Sequence, residues 1–197
     1  IYKYDSNGKM SEWSNYDSDG SLCSKYISKY DTNGEWGENS SYVSDGNLTE
    51  DLLGVSKTIF KYDSNGNRIE LSNYDSEWNL GYDYLGISKT IFKYDSNGNM
   101  IELSNYDLEG NLTEDLLGVS KTIFKYDSNG KMVESLEYDS DGSLKNKFIS
   151  KYDSNRKMVE SLEYDLDGAL SSKYISKKDS NGNIIEWSNY DSDGSLS

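Results

Sequence analysis

The chain has 197 residues and a formal net charge of −15, from 20 Lys and Arg against 35 Asp and Glu. A surface this acidic repels nucleic acid and anionic membrane, so nucleic acid is not expected as a partner, and it favours solubility or cation binding. Histidine, the commonest general base and transition-metal ligand, is absent, and the single cysteine, Cys23, cannot form an internal disulfide.

Tyrosines recur along the chain in two series with a fixed spacing. The second series follows the first by twelve residues in every unit, and successive units are 26 or 32 residues apart, which is typical of a repeat fold. We predict one continuous array over residues 1–197, in which the 32-residue units carry an insertion between about 42 and 126. The chain begins and ends inside a unit, so we expect it to be a fragment of a longer chain. The first series is Tyr4, Tyr30, Tyr62, Tyr94, Tyr126 and Tyr152, with Lys178 in the seventh place, and the second is Tyr16, Tyr42, Tyr74, Tyr106, Tyr138, Tyr164 and Tyr190.

Each unit is predicted to form two strands joined by tight turns. Segments such as 99–106 and 143–152 have strand length and β-rich composition, and proline is absent from the chain. "DSNG" at 5–8 and "DSDG" at 17–20 have the chemistry of a type I turn that ends on a left-handed Gly. Arg156 and Trp78 replace this Gly in one turn each, and these turns therefore tolerate strain or have another form. The sequence predicts an all-β fold, an antiparallel meander of about fourteen strands.

The register of the first hairpins decides how the sheet is sheared. With a three-residue loop and a Gly bulge, Tyr16 opposes Leu22, and Tyr26 pairs with Glu12 on one side and Ser40 on the other. On this register the pairing slides by two residues per unit. A sheet sheared in this way coils into a strip or superhelix, or closes into a barrel if the strand count matches. A single-layer sheet is the alternative.

The insertion lies in "NLTEDLLGVSKTIFKY" at 47–62, which recurs identically at 111–126 and as a variant at 79–94. We expect a bulge or a longer hairpin end at these places. The leucines of the insertion either pack as a satellite cluster or form an exposed apolar ridge, and we predict packing. These leucines are Leu52, Leu53, Leu116 and Leu117.

One glutamate recurs in every unit. Paired carboxylates can hydrolyse glycosides, but seven equivalent sites lack the different environments that separate an acid from a base. We therefore predict no catalytic residues and no enzymatic activity, and a structural role in which the carboxylates accept hydrogen bonds from Tyr or Ser hydroxyls. The recurring lysines of the intervening strands, such as Lys25 and Lys57, are expected on the opposite face. The glutamate column is Glu12, Glu38, Glu70, Glu102, Glu134, Glu160 and Glu186.

Two turns are similar to the first half of a calcium-binding loop. "NYDSDG" at 15–20 and 189–194 has oxygen ligands at alternate positions before Gly. The bidentate Glu expected later is missing, since Tyr26 occupies its place, and a hairpin turn already requires Asp and Gly here. We therefore predict no cofactor and keep calcium as an alternative. Its candidate ligands are Asn15, Asp17, Asp19, Asn189, Asp191 and Asp193.

Aromatic side chains on an exposed sheet face can stack on sugar rings. The simpler interpretation is cross-strand aromatic packing, which stabilises a pair by about 0.2–1 kcal/mol. We favour packing because Tyr recurs next to every turn, where it would anchor the hairpin. The candidate glycan-binding residues are Trp13, Trp187, Tyr16, Tyr74, Tyr106 and Tyr190.

The segment "YDSNGNRI" at 62–69, followed by a strand and a second "YD" at 74–75, resembles the YD repeats of the RHS family. The motif recurs as "YDSNGNMI" at 94–101 and "YDSNGKMV" at 126–133, and it is more loosely similar to MORN-like hairpin repeats. The resemblance implies a large secreted or surface β-strip that coils into a shell or tube. It also implies a role in adhesion, carbohydrate contact or the enclosing of a toxin. The alternation of 26 and 32 residues departs from the family pattern.

We therefore expect a non-enzymatic structural or adhesive scaffold, extracellular or on a cell surface. Unpaired strand edges at its ends would let copies associate head to tail into fibres. The second hypothesis is a binding module for glycans, with one weak site per unit, avidity from the array and calcium-stabilised turns. The third is a shell segment of an RHS-like protein that encloses a toxin. No membrane insertion is expected, because no apolar run approaches the roughly 20 residues of a membrane-spanning helix.

Overall fold

The computed structural model describes residues 1–30, 34–43, 45, 47–49, 55–153, 155, 157–179 and 183–196, apart from the side chains of Trp36 and Lys178. Fourteen strands form one antiparallel sheet whose order follows the chain, so the predicted all-β meander is confirmed. The described residues include no helix that could cross a membrane. The strands are β1 (Tyr2–Tyr4), β2 (Met10–Tyr16), β3 (Leu22–Tyr30), β4 (Trp36–Val43), β5 (Lys57–Tyr62), β6 (Arg68–Tyr74), β7 (Lys89–Tyr94), β8 (Met100–Tyr106), β9 (Lys121–Tyr126), β10 (Met132–Tyr138), β11 (Leu144–Tyr152), β12 (Met158–Tyr164), β13 (Leu170–Lys178) and β14 (Ile184–Asp191).

The hairpin turns that the structure describes in full follow a five-residue Asp-x-x-Gly-x motif, of which 95–99 is an example, with Trp78 in place of Gly in one of them. The N–H of Gly98 donates to the carbonyl of Asp95 at 3.1 Å, and the N–H of Asp95 donates to the carbonyl of Asn99 at 2.9 Å. Oδ1 of Asp95 accepts the N–H groups of Asn97 and Asn99, both at 2.9 Å. Gly98 has a φ of +82°, which a residue without Cβ adopts without strain. The turn itself therefore explains why Asp and Gly recur at these places.

A β-bulge beside the turn changes the register that the turn alone predicts. Tyr16 opposes Leu22, as predicted, but Cys23 has no partner and the next pair is Asn15 with Ser24. The same irregularity follows the other hairpin turns that join neighbouring strands, for example between β5 and β6. One extra residue on one strand shifts every later pair by one position.

The predicted partners of Tyr26 are wrong for this reason. Tyr26 opposes Trp13 of β2 and Ser41 of β4, not Glu12 and Ser40. Because side chains alternate between faces, a one-residue shift brings the other face of the neighbouring strand into line. The predicted register therefore matched neighbouring strands on the wrong faces.

The predicted slide of two residues per unit is observed. Ile59 opposes Glu38 on one side and Ser72 on the other, and Ser72 lies two residues beyond Glu70, the equivalent of Glu38. The first, 26-residue units slide by the same amount. A register shift of two residues over two strands equals one residue per strand. Eight-stranded barrels of shear 8 have the same shift per strand, and their strands tilt by about 36°. A strip with this shear coils as it extends.

The sheet forms a single open layer. Within the described residues each strand contacts only the strands beside it in the sheet order, and β1 and β14 do not pair. The closed barrel is therefore not formed, and the open sheet is compatible with both the coiled strip and the single-layer sheet. Side chains on both faces are covered only by neighbours in the same layer.

In the second and third of the 32-residue units, whose insertions the structure describes, the insertion forms an additional Asp-x-x-Gly turn at the side of the sheet. In the third inserted unit the N–H of Asp115 donates to the carbonyl of Val119 at 3.0 Å, as in the main turns. The chain then returns to the sheet through Val119 and Ser120, which are both buried. The insertion is thus anchored by its last two residues.

Two leucines of the third inserted unit, Leu116 and Leu117, lie at the tip of this turn. Leu116 and Leu117 are 73% and 76% exposed, so the prediction that they pack is wrong for these two residues. They occupy the two central positions of the turn, which have no neighbouring strand to cover them. Leu52 and Leu53 lie outside the described residues.

Candidate functional site

The glutamate column lies between two lysine columns on one face of the sheet, which we call the ion-pair face. Lys93 opposes Glu102 with Nζ 2.7 Å from Oε1, and Lys121 on the next strand lies 3.9 Å from Oε2. The buried Ser104 donates its Oγ–H to Oε1 of Glu102 at 3.2 Å, as predicted for a Ser hydroxyl. The predicted opposite face for the lysines is wrong, because the bulge aligns them with the glutamates. Other ion pairs of this face are Lys3–Glu12, Lys29–Glu38, Lys57–Glu38, Lys61–Glu70, Lys125–Glu134, Lys147–Glu134, Lys151–Glu160, Lys173–Glu160 and Lys177–Glu186.

The ion pairs hold the glutamates in their charged form. Burial raises the pKa of Glu38, but hydrogen bonds from Lys57, Lys29 and Ser40 outweigh it, so the pKa is lowered. The hydrogen bond from Lys151 is the largest cause of the lowered pKa of Glu160. A carboxyl group that acts as a general acid has a raised pKa. The shifts that the column shows are those of ion-pair partners.

The first tyrosine series ties strand ends together. The hydroxyl of Tyr94 donates to the carbonyl of Arg68 at 2.9 Å, and that of Tyr126 to the carbonyl of Met100 at 2.7 Å. Each bond joins the last residue of one strand to the first residue of the preceding strand. Burial raises the pKa of both hydroxyls. These tyrosines therefore anchor the hairpins and do not donate to the glutamates.

Lys57 differs from its equivalents because its side chain is buried, at 1% exposed. Its Nζ lies 3.0 Å from Oε2 of Glu38 and 3.1 Å from the ring centroid of Trp78. A buried ammonium group requires such compensation. Trp78 occupies the Gly position of its turn with φ +68°, and the turn keeps its form, with the N–H of Asp75 donating to the carbonyl of Asn79 at 3.0 Å. The turn thus tolerates strain and places an indole ring over Lys57.

We expect Trp78→Gly to change the free energy of unfolding by less than about 1 kcal/mol. Relief of roughly 1–2 kcal/mol of left-handed backbone strain offsets the loss of a cation–π contact of about 0.5–2 kcal/mol. Trp78→Ala keeps the strain and loses the ring, so it should be less stable than Trp78→Gly by about 1 kcal/mol. Urea denaturation of both variants measures the difference. A Gly variant less stable than the Ala variant would contradict this explanation of Trp78.

The candidate calcium ligands belong to turns whose amides hold the carboxylates. Oδ1 of Asp17 accepts the N–H groups of Asp19 and Ser21 at 3.2 and 3.0 Å, and Oδ1 of Asp19 accepts that of Ser21 at 2.8 Å. A side-chain hydrogen bond with Asp17, with help from Ser21, lowers the pKa of Asp19 to about 2. Asn15 lies on β2 and donates to Oγ of Ser24 at 3.1 Å.

In the second copy of this turn Asn189 and Asp191 lie on β14, and Oδ1 of Asp193 accepts the N–H of Ser195 at 2.8 Å. In the part of the chain that the structure describes, no three His, Cys, Asp or Glu side chains are grouped as metal ligands. Calcium binding stays an alternative to the predicted absence of a cofactor.

The six predicted glycan-binding residues do not share one surface. Trp13 and Trp187 lie on the face opposite the ion-pair face. The tyrosines of the second series lie on the ion-pair face, where Tyr74 opposes Lys57 and the ring of Tyr190 lies 6.0 Å from Nζ of Lys173. A ligand that contacts one set cannot contact the other through the single layer. Tyr16 and Tyr106 belong to the set on the ion-pair face.

The face opposite the ion-pair face carries an aromatic stack of Tyr2, Trp13 and Tyr26 on three neighbouring strands. The ring centroids of Tyr2 and Trp13 are 6.3 Å apart and those of Trp13 and Tyr26 are 5.1 Å apart, with interplanar angles of 10° and 21°. The predicted cross-strand aromatic packing is present here. Sequence reasoning missed Tyr2 and Tyr26 as partners of Trp13, because the bulge decides which residues oppose each other.

A depression of about 200 Å³ lies beside this stack. It is lined by Trp13 and Tyr26 on one side, and by residues of β4 and β5 with Val55 and Ser56 on the other. Aromatic rings beside hydroxyl and amide groups are the composition of a site for a small polar ligand.

No protein family matches the sequence, and no curated protein matches it. Among solved structures, the crystal structure of TcdB2-TccC3-Cdc42 is 13% identical, with a TM-score of 0.45, and the match covers 99% of this chain and 11% of that chain. The structure of the Photorhabdus luminescens Tc holotoxin pore with the TccC3-D651A mutation is 11% identical, with a TM-score of 0.39 over 99% of this chain and 14% of that chain. The chain therefore spans only about a ninth to a seventh of the length of these proteins.

Proposed function

We propose that the chain is a structural scaffold without enzymatic activity, a length of coiled β-strip that forms an extended wall outside the cell or on its surface. The observation that supports the proposal is which partners the recurring charged groups contact. The glutamates and lysines pair with one another, and the turn carboxylates accept backbone N–H groups. Groups that act on a substrate must instead be available to change partner or charge.

The single-layer architecture supports the same proposal. In the part of the chain that the structure describes, each strand contacts only its neighbours, so units can be added without disturbing existing contacts. The uniform slide of two residues gives each added unit the same orientation to the last. Such a strip suits an adhesive surface scaffold or, on its YD-type motifs, a shell segment of an RHS-like protein that encloses a toxin.

The scaffold is also proposed to associate head to tail. β14 is the outer strand of the described sheet, and Leu196 pairs with it only near its end, at Tyr190. Ile185 and Trp187, which lie before that point on β14, are exposed. Such an edge is a template for pairing with another strand, and β1 offers the matching edge. The expected products are fibres or longer strips.

Light scattering over a concentration series tests this association. We expect the mass of the wild type to grow with concentration, and the combined substitution of Ile185→Lys and Trp187→Lys to reduce the growth, because charges on an edge strand oppose pairing. Ile69→Lys is the matched control, because Ile69 is the equivalent of Ile185 on the inner strand β6 and is also exposed. A monomer at every concentration would overturn the fibre form of the proposal.

A glycan-binding module is the second candidate, and the aromatic stack favours it. Parallel rings with a polar depression beside them occur once in the described chain, at Trp13, and not in each unit. This candidate is therefore a single site on the scaffold and not an array of equal weak sites.

A further inference from the structure

The depression lies where Ser28 and Asn39 replace the apolar pair of the next two hairpins along the chain. In the later unit Phe92 opposes Leu103 on the face opposite the ion-pair face, and Phe60 opposes Leu71 in the same way. At the equivalent place Ser28 opposes Asn39. Two small polar side chains thus stand where the next two hairpins have a large apolar pair. A later hairpin also has two small residues at this place, Ser150 opposite Ser161, so the aromatic stack beside Ser28 and Asn39 is what distinguishes the depression. The volume that Phe and Leu would fill is left open beside the aromatic stack.

One wall of the depression is the ring of Tyr26. Trp13 covers one side of this ring, and the roughly parallel stack directs its other side toward β4. There it meets Ser41, which opposes Tyr26 and is too small to continue the stack. No other ring of the described residues contacts Tyr26. The ring therefore offers a flat apolar surface to whatever enters the depression.

The floor carries two buried polar atoms without partners. Oδ1 of Asn39 and Oγ of Ser56 are both buried and make no hydrogen bond to any of the described residues, and Ser56 is 1% exposed. Buried polar atoms are nearly always hydrogen-bonded, and an orphaned one costs about 1–3 kcal/mol. The equivalents of Ser56 show the contrast, since Oγ of Ser88 donates to the carbonyl of Tyr106 at 3.1 Å and Oγ of Ser120 donates to that of Asp139 at 2.6 Å.

The charge around the depression selects against an anion. Lys57 lines it, but its ammonium group lies on the ion-pair face with Glu38. The remaining lining side chains are aromatic, aliphatic, hydroxyl and amide groups, and the chain carries a net charge of −15. An anionic sugar would be repelled by this field and would find no cation in the depression.

We propose that this depression binds one neutral monosaccharide unit of a glycan. The apolar face of the sugar ring stacks on Tyr26, which continues the row of rings. One sugar hydroxyl donates to Oδ1 of Asn39, and another exchanges a hydrogen bond with Oγ of Ser56. The inference rests on the second candidate function and gives it a site, and it is independent of the wall-forming role.

Titration of the whole chain with methyl glycosides of neutral hexoses, followed by isothermal titration calorimetry and tryptophan fluorescence, tests the proposal. The main variant combines Ser28→Phe with Asn39→Leu, which fills the depression with the chain's own Phe92–Leu103 pair. We expect it to fold with at least the stability of the wild type and to weaken binding by about tenfold or more, which is roughly 1.4 kcal/mol. Methyl glucuronide, an anionic sugar, should not bind the wild type.

The controls separate the possible failures. Trp187→Ala removes an exposed tryptophan on the same face outside the depression, and binding should be unchanged. Failure of the wild type to bind any neutral glycoside overturns both the site and the glycan-binding candidate and leaves the scaffold untouched. Equal binding by the filled variant and the wild type overturns the site alone, because the sugar then binds elsewhere. A urea midpoint for each variant confirms that the compared proteins are folded.

Discussion

Lys57→Ala should lower the free energy of unfolding by about 3 kcal/mol. The substitution leaves the largely buried carboxylate of Glu38 without its nearest buried partner, removes the cation from the ring of Trp78, and opens a void. Removing one partner of a buried ion pair typically costs about 3–5 kcal/mol, and the low end applies because Lys29 still pairs with Glu38. Equilibrium urea denaturation followed by circular dichroism measures the change.

Lys29→Ala is the matched control for this prediction. Lys29 lies 3.0 Å from Oε1 of Glu38, the same distance at which Lys57 lies from Oε2, but its side chain is 61% exposed. Exposed ion pairs contribute about 0–1 kcal/mol, so the control should lose no more than that. Equal losses in the two variants would show that burial does not set the strength of the pairs on the ion-pair face.

Acidification should unfold the strip, with a midpoint expected between about pH 2 and 4. The pKa of Glu12, Glu70, Glu102 and Glu134 is lowered from 4.5 in the folded chain, as it is for the other shifted glutamates of the column. The stabilisation is therefore present in full above the unfolded value and is lost as the pH falls through the folded value. Circular dichroism against pH, with urea midpoints at pH 7, 5 and 4, measures it.

Two charge effects oppose each other in this range, and the pairs decide the outcome. Protonation relieves the repulsion behind the net charge of −15, but that repulsion acts between separated groups and is screened beyond about 8 Å at physiological salt. The attraction that protonation removes acts instead at contact distance, for example over 2.7 Å between Nζ of Lys61 and Oε1 of Glu70. Below the acid transition the columns of lysines face one another without counter-charges. Stability that stays constant from pH 7 to 3 would contradict a structural role for the glutamate column.

The substitution Glu102→Gln provides the control for the acid prediction. Glutamine does not titrate, so the variant should be less stable at pH 7 and should lose less stability between pH 5 and 3 than the wild type.

At alkaline pH the stabilisation by the lysines depends on pH in the opposite direction. Hydrogen bonds to Glu70 and Glu102 raise the pKa of Lys61 and Lys93 above 10.5, so this contribution is present below the unfolded value and is lost only as the pH rises through the folded value.

The sequence by itself determined the strand count, the turns and the shear of this protein. Asp and Gly at fixed places of each turn are required by local hydrogen bonds and a positive φ, such as those of Asp95 and Gly98. These are interactions between residues close in the chain, so a single unit contains all the information for them. The slide of two residues per unit follows from the lengths of strands and turns, which repetition makes visible.

Which side chains meet across the strands was decided only by the tertiary structure. The unpaired Cys23 shifts the register by one residue, and because side chains alternate, that shift exchanges the two faces. The constant spacing of nine residues between partners such as Lys61 and Glu70, in units of either length, was the signal in the sequence that could have revealed the pairs.

The depression beside Tyr26 could not be predicted from the sequence. It depends on Ser28 and Asn39 lying opposite each other, on a ring from the preceding strand and on Ser56 from the inserted segment. These residues come from different hairpins. A bulge and a void arise from the pairing and packing of separate strands, and no pattern within one strand encodes them.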